Sequence, residues 1–99
     1  MSLELILEPP AIADLTDAIS WYKQTRLGLE AEFRLCVEEV IERIHRYPEA
    51  YPILTRRLRR ALLLRFPYGI FYLSEHCQIR VVAILHTSRD PREWRRRHS

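Results

Sequence analysis

The stretch R59-RALLLRF-PYG-IFYLS-EHCQ-IRVVAILH-86 decides the fold of this 99-residue chain. Residues 59–66, 70–74 and 79–86 are apolar runs rich in β-branched, leucine and aromatic residues, separated by a Pro-Tyr-Gly turn at 67–69 and a polar break at 75–78. Runs of this length bounded by turn residues read as strands. Strands joined by tight turns pair antiparallel, so the three form a meander. A sheet of this kind needs a cover for its apolar face.

The first half of the chain supplies that cover. Residues 3–7, LELIL, read as a short strand stopped by Pro9 and Pro10, which cannot extend a ladder. Pro10 suits the first turn of a helix. Ile12, Leu15, Ile19 and Tyr22 then recur at helical steps, with Trp21 widening the stripe. The pattern breaks at Thr25–Gly28, and a second helix from Leu29 carries Phe33, Cys36, Val37, Val40, Ile41 and Ile44 toward a core. A break this short implies an antiparallel helical hairpin. Pro48 and Pro52 end the second helix. The expected fold is α+β, in the order β-α-α-β-β-β, as one domain spanning residues 1–99.

The last stretch, T87-SRDPREWRRRHS-99, adds a short helix. Asp90, Pro91 and Glu93 are spaced as a capping box: Asp90 accepts from first-turn amides, Pro91 presets φ and Glu93 reaches back. Trp94 is expected to pack on the body while the arginines around it face water.

Charge is divided unevenly. The net charge is only +3, yet residues 56–99 hold Arg56, Arg57, Arg59, Arg60, Arg65, Arg80, Arg89, Arg92, Arg95, Arg96 and Arg97 against Glu75, Asp90 and Glu93. A basic half favours an anionic partner, either nucleic acid or an acidic protein segment. Cys36 and Cys77 are isolated and no histidines cluster at ligand spacing, so reduced thiols, no metal and no cofactor are expected. No leader pattern and no run long enough to span a bilayer are visible, which points to a cytoplasmic protein without a membrane partner.

Several segments together carry a family resemblance. They are the element order, Gly28 in RLGLEAEF, Tyr47-Pro48, PYGIFY, and above all VVAILHTSRDPREWRRR with its His-x-x-Arg-Asp-Pro-x-x-Trp. The chain resembles the RelE/ParE toxins of type II toxin-antitoxin systems, also called plasmid stabilisation proteins, and is closer to the ParE side. That resemblance implies a helical hairpin on an antiparallel sheet and a cognate antitoxin with an acidic or amphipathic arm. ParE-like members act on DNA gyrase, whereas RelE-like members cut messenger RNA on the ribosome.

Two site sets follow. Binding to gyrase or antitoxin would use Arg57, Arg59, Arg60, Arg65, Arg89, Trp94, Arg95, Arg96 and Arg97. Cleavage without a metal needs a base, a phosphate stabiliser and an acid. Glu49, Arg65 and His86 are the candidates for these roles, and they look like the active set of the RelE-like member YoeB. The chain departs from that pattern by continuing past His86 into the Arg-Asp-Pro helix. His45, His76 and His98 have weaker claims. A third reading is a non-toxic nucleic-acid or protein interaction module, with Trp94 as a stacking platform among arginines.

Overall fold

The computed structural model describes residues 3–98, with side chains to Arg97. Its elements are β1 (Glu4–Leu7), α1 (Pro9–Thr25), α2 (Leu29–Arg46), β2 (Ile53–Thr55), β3 (Leu58–Leu62), β4 (Tyr68–Ser74), β5 (Gln78–His86) and α3 (Pro91–His98). The sheet order is β1-β5-β4-β3-β2. The meander β2 to β5 is antiparallel, and β1 runs parallel to β5 on the outer edge.

The helices start and stop as their sequences dictate. Extended Glu8 caps α1, with Pro9 and Pro10 in the first turn where amides have no intrahelical partner. Gly28 caps α2 at φ 87°, a conformation that glycine reaches without a Cβ penalty. Phe33, Val37, Val40 and Ile44 of α2 are buried as their spacing requires, with Cys36 and Ile41 packed at the margin. On α1 the buried face is rotated from the expected stripe. It is centred on Ala11, Ala18 and Tyr22, while Ile12 is 50% exposed and Trp21 59% exposed. The small alanines turn toward the sheet, and the large residues beside them are displaced to the rim.

The strands differ from expectation in two places. Residues 53–55 form an extra edge strand, paired with β3 through Ile53↔Arg59 and Thr55↔Leu58. β3 ends at Leu62 instead of Phe66, because Phe66 takes φ 76° and swings its ring against Tyr22 and Phe33. Left-handed backbone in a bulky residue is costly, and the aromatic cluster holds it there.

The sheet buries both faces. One face packs under the helical hairpin through Ala61, Ile70, Tyr72, Ile79, Val81 and Ile84. The other gathers Leu58, Phe71, Leu73, Val82, Ala83 and Leu85 beneath Trp94. The pairs Phe71↔Ala83 and Tyr72↔Val81 leave Val82 as an extra residue, a bulge in β5. Beside this bulge the Ile84 amide donates to Asp14 on α1 at 3.0 Å.

Candidate partner-binding surface

The end of β5 and α3 form one connected structure. Asp90 Oδ1 accepts from the Arg92 amide at 2.9 Å, and Asp90 Oδ2 accepts from the Arg92 side chain at 2.7 Å. This pairing holds the Asp90 carboxyl below its ordinary range, chiefly through the Arg92 side-chain hydrogen bonds. The reciprocal half of the capping box is not made. Glu93 turns outward to Arg96 at 2.8 Å, so α3 has a one-sided cap.

Trp94 stacks on Phe71 with centroids 5.3 Å apart and an interplanar angle of 20°, and Arg95 lies 5.4 Å from the indole centroid. Committed to the sheet on one side and to Arg95, this indole is a packing residue. Arg97 turns inward. Its guanidinium donates to both Asp14 oxygens at 2.8 and 3.0 Å and to the Val82 carbonyl at 3.0 Å.

The remaining basic candidates divide in the same way. Arg59 donates to the Glu49 and Tyr51 carbonyls at 3.2 and 2.6 Å, tying the loop after α2 to β3. The stem of Arg60 lies over Gly69, where an added Cβ would meet it at 3.2 Å. Arg65 pairs with Glu32 at 2.8 Å and lies 5.1 Å from the Phe66 centroid. Glu32 is held below its ordinary range, first by that hydrogen bond. Arg57, at the tip of the β2–β3 hairpin, and Arg89, after β5, are exposed and have no carboxylate partner among the described residues. Arg96 is exposed on α3.

Glu49, Arg65 and His86 are not gathered around one point. Arg65 is fixed to Glu32 in the first turn of α2, whereas Glu49 follows the last turn, about 20 Å along the helix at 1.5 Å per residue. The Tyr72 hydroxyl donates to the Pro48 carbonyl at 2.7 Å, placing the Glu49 loop beside Tyr72. His86 instead pairs with Tyr68, four residues and about 13 Å away along β4. His86 Nδ1 accepts from the Ser88 amide at 3.0 Å and lies 2.8 Å from the Ser88 hydroxyl. The amide can only donate, so the neutral imidazole carries its proton on Nε2. His45 Nε2–H donates to the Leu3 carbonyl, joining α2 to β1, and His76 is exposed in a turn. The His98 side chain lies outside the described residues.

Beside His86 is a cleft that the sequence reading did not anticipate. It holds about 510 Å³ between Trp21, Tyr22, Thr25, Pro67, Tyr68 and His86. It continues into a hollow of about 220 Å³ that reaches Asp17 and Arg89. Trp21 meets Tyr22 edge-on at 5.1 Å, and His86 meets Tyr68 edge-on at 5.3 Å. Burial pushes the Tyr68 hydroxyl up, and the nearby Arg89 charge opposes it. The helical stripe placed Trp21 among core residues. The signal against that was its position one residue, or about 100°, from the buried Tyr22.

Among the described residues no group of histidine, cysteine or acidic side chains is arranged to hold a metal ion, and no helix is long and apolar enough to cross a membrane. The family model for the ParE toxin of type II toxin-antitoxin system, parDE, matches residues 5–91. The chain belongs to this ParE toxin family. Membership implies an antitoxin partner. The ParE fold is also that of a chain from the solved "Chromosomal ParDE TA system from P. aeruginosa", with a TM-score of 0.63 and 20% identity. The likeness covers 88% of this chain and 98% of that one. No individual curated protein matches in sequence. The ParE match stops at Pro91, so Arg92 to Arg97 of α3 lie outside it.

Proposed function

We propose that this ParE-family toxin acts on DNA gyrase in the cytoplasm by binding alone, and that its cognate antitoxin neutralises it through an acidic or amphipathic arm. The observation that carries this reading is the dispersal of Glu49, Arg65 and His86. General acid-base cleavage needs its groups within hydrogen-bond reach of one reacting centre, and here Glu49 follows the last turn of α2, about 20 Å along that helix from the Glu32 that holds Arg65. Arg65, moreover, already holds a carboxylate.

Binding makes different demands. It needs exposed cations to meet an anionic surface: among the described residues Arg57 and Arg89 carry no carboxylate partner, and α3 also presents Arg92, Arg95 and Arg96 from a rigid frame. α3 is positioned by the Trp94 stack and the Arg97 latch, so its outer arginines form a fixed array rather than a loose polycation. The same array is complementary to an acidic antitoxin arm, which would shield it.

The test is induction of the chain in bacteria without its antitoxin, following DNA replication, the SOS response and messenger RNA ends. Stalled replication with SOS induction and intact transcripts is the expected result. Codon-dependent transcript cleavage that His86→Ala abolishes would replace this reading with the nuclease one.

A further inference from the structure

We infer that the cleft between α1 and the paired ends of β4 and β5 is a nucleotide site, with Trp21 as the stacking surface, Asp17 and His86 reading the base edge, and Arg89 meeting the phosphate. The sequence offered Trp94 for stacking, but that indole is laid on Phe71. The indole left available is Trp21, 59% exposed on the wall shared by the cleft and its adjoining hollow. A large exposed aromatic beside a half-buried Tyr68 is the arrangement on which a planar ring stacks. The volume of about 510 Å³ lies within the range of small-ligand sites.

The polar groups around the cleft define the ligand further. His86 has its Nδ1 occupied by Ser88, so its Nε2–H is a fixed donor on the cleft wall. Asp17 is an exposed carboxylate acceptor, and among the described residues no cation pairs with it. The neighbouring Asp14 is taken up by Arg97 and the Ile84 amide, so it contributes no comparable acceptor. Arg89, at the same hollow, is a cation without a carboxylate partner among the described residues. A ligand that satisfies all four has a flat ring, a donor pair for a carboxylate, an acceptor for an imidazole N–H, and an anion. A guanine nucleotide carries all of these, because its N1–H and 2-amino group face a carboxylate side by side. A uracil nucleotide lacks the amino donor.

This assignment does not depend on the gyrase reading, since it concerns the isolated chain. The wild-type protein, labelled with nitrogen-15, has two indole N–H resonances, and Trp21→Phe identifies which belongs to Trp21. Titration with guanosine monophosphate, uridine monophosphate and a five-base single strand containing one guanine should move the Trp21 resonance and leave that of Trp94 in place. Guanine-containing ligands should bind at least about fivefold more tightly to wild type than to Trp21→Ala, the low end of what base–aromatic stacking contributes. Asp17→Asn should erase the preference over uridine monophosphate. Arg89→Ala should reduce the salt slope for the strand by about 0.7, the share of one phosphate contact. Equal affinity for guanosine monophosphate and the strand identifies the free nucleotide as the ligand, and tighter binding of the strand identifies an unpaired guanosine within nucleic acid. An unmoved Trp21 resonance overturns the assignment. So do nucleotide affinities unchanged in all three variants, or a Trp21 shift in wild type produced only by an acidic aromatic peptide.

Discussion

Replacing Asp14 with alanine removes the group that joins three parts of the fold. Its carboxylate accepts from Arg97 Nη1 and Nη2 on α3 at 2.8 and 3.0 Å, and from the Ile84 amide beside the bulge at 3.0 Å. Side-chain exposures of 12% for Asp14 and 22% for Arg97 place the pair largely out of water. Removing one partner of a fully buried pair costs about 3–5 kcal/mol, and a hydrogen bond to a charged group contributes about 1.5–3 kcal/mol. Arg97 is in the last turns of a terminal helix and can regain water by swinging out, which places the cost near the lower bound. The Ile84 amide is in a central strand and has no such escape. Asp14→Ala should therefore lose about 3 kcal/mol of an unfolding free energy of about 5–15 kcal/mol. Arg97→Ala, which leaves Asp14 its bond from Ile84, should lose about 2 kcal/mol. In a domain of this size the larger loss lowers Tm by about 12–24 °C. Urea denaturation of the two single variants and the double variant measures both losses and their coupling. An Asp14→Ala variant within about 0.5 kcal/mol of wild type, the range of ordinary surface changes, would refute the reasoning.

Other predictions rest on single observations. Burial pushes the Tyr72 hydroxyl from 10.0 up to about 12. A group whose folded pKa is raised adds stability that is complete below its unfolded pKa and is lost as pH rises through the folded one. Denaturation midpoints should therefore fall between pH 10 and about 12, and Tyr72→Phe should flatten that decline while costing about 1 kcal/mol at neutral pH for the lost bond to Pro48. A decline of the same steepness in the variant would remove Tyr72 as a cause. Arg56 sits at φ 50° in the β2–β3 turn, a conformation unfavourable for a residue with a Cβ. Arg56→Gly should accordingly raise stability by about 0.5 kcal/mol in thermal denaturation, and a loss of that size would show that the arginine side chain stabilises the turn.

The parts of the fold legible in the sequence are those governed by periodicity and by proline or glycine. Pro9, Pro10, Gly28 and Pro48 bound the helical hairpin, and the apolar runs of β4 and β5 leave no alternative to strands. What escaped depends on long-range pairing. Ile53–Thr55 is too short to announce itself and becomes a strand only because β3 offers it an edge. Phe66 leaves β3 because its ring is needed between Tyr22 and Phe33, a contact that no local pattern contains. The arginines show the same limit. Sequence supplied a basic surface, but it could not separate Arg59 and Arg97, spent on backbone carbonyls and Asp14, from Arg57 and Arg89, which face solvent with no carboxylate partner among the described residues. Trp94 and Trp21 exchange roles for a related reason, since stacking on Phe71 depends on where α3 returns to the sheet.

The central claim is that this ParE-family chain poisons gyrase by binding and carries out no chemistry itself. Purified chain added to DNA gyrase in a supercoiling assay, with ribosome-bound messenger RNA incubated in parallel, tests it most directly. Loss of supercoiling in proportion to added chain, reversed by its antitoxin and accompanied by intact RNA, is the predicted result. Unimpaired supercoiling together with cleaved messenger RNA would contradict it.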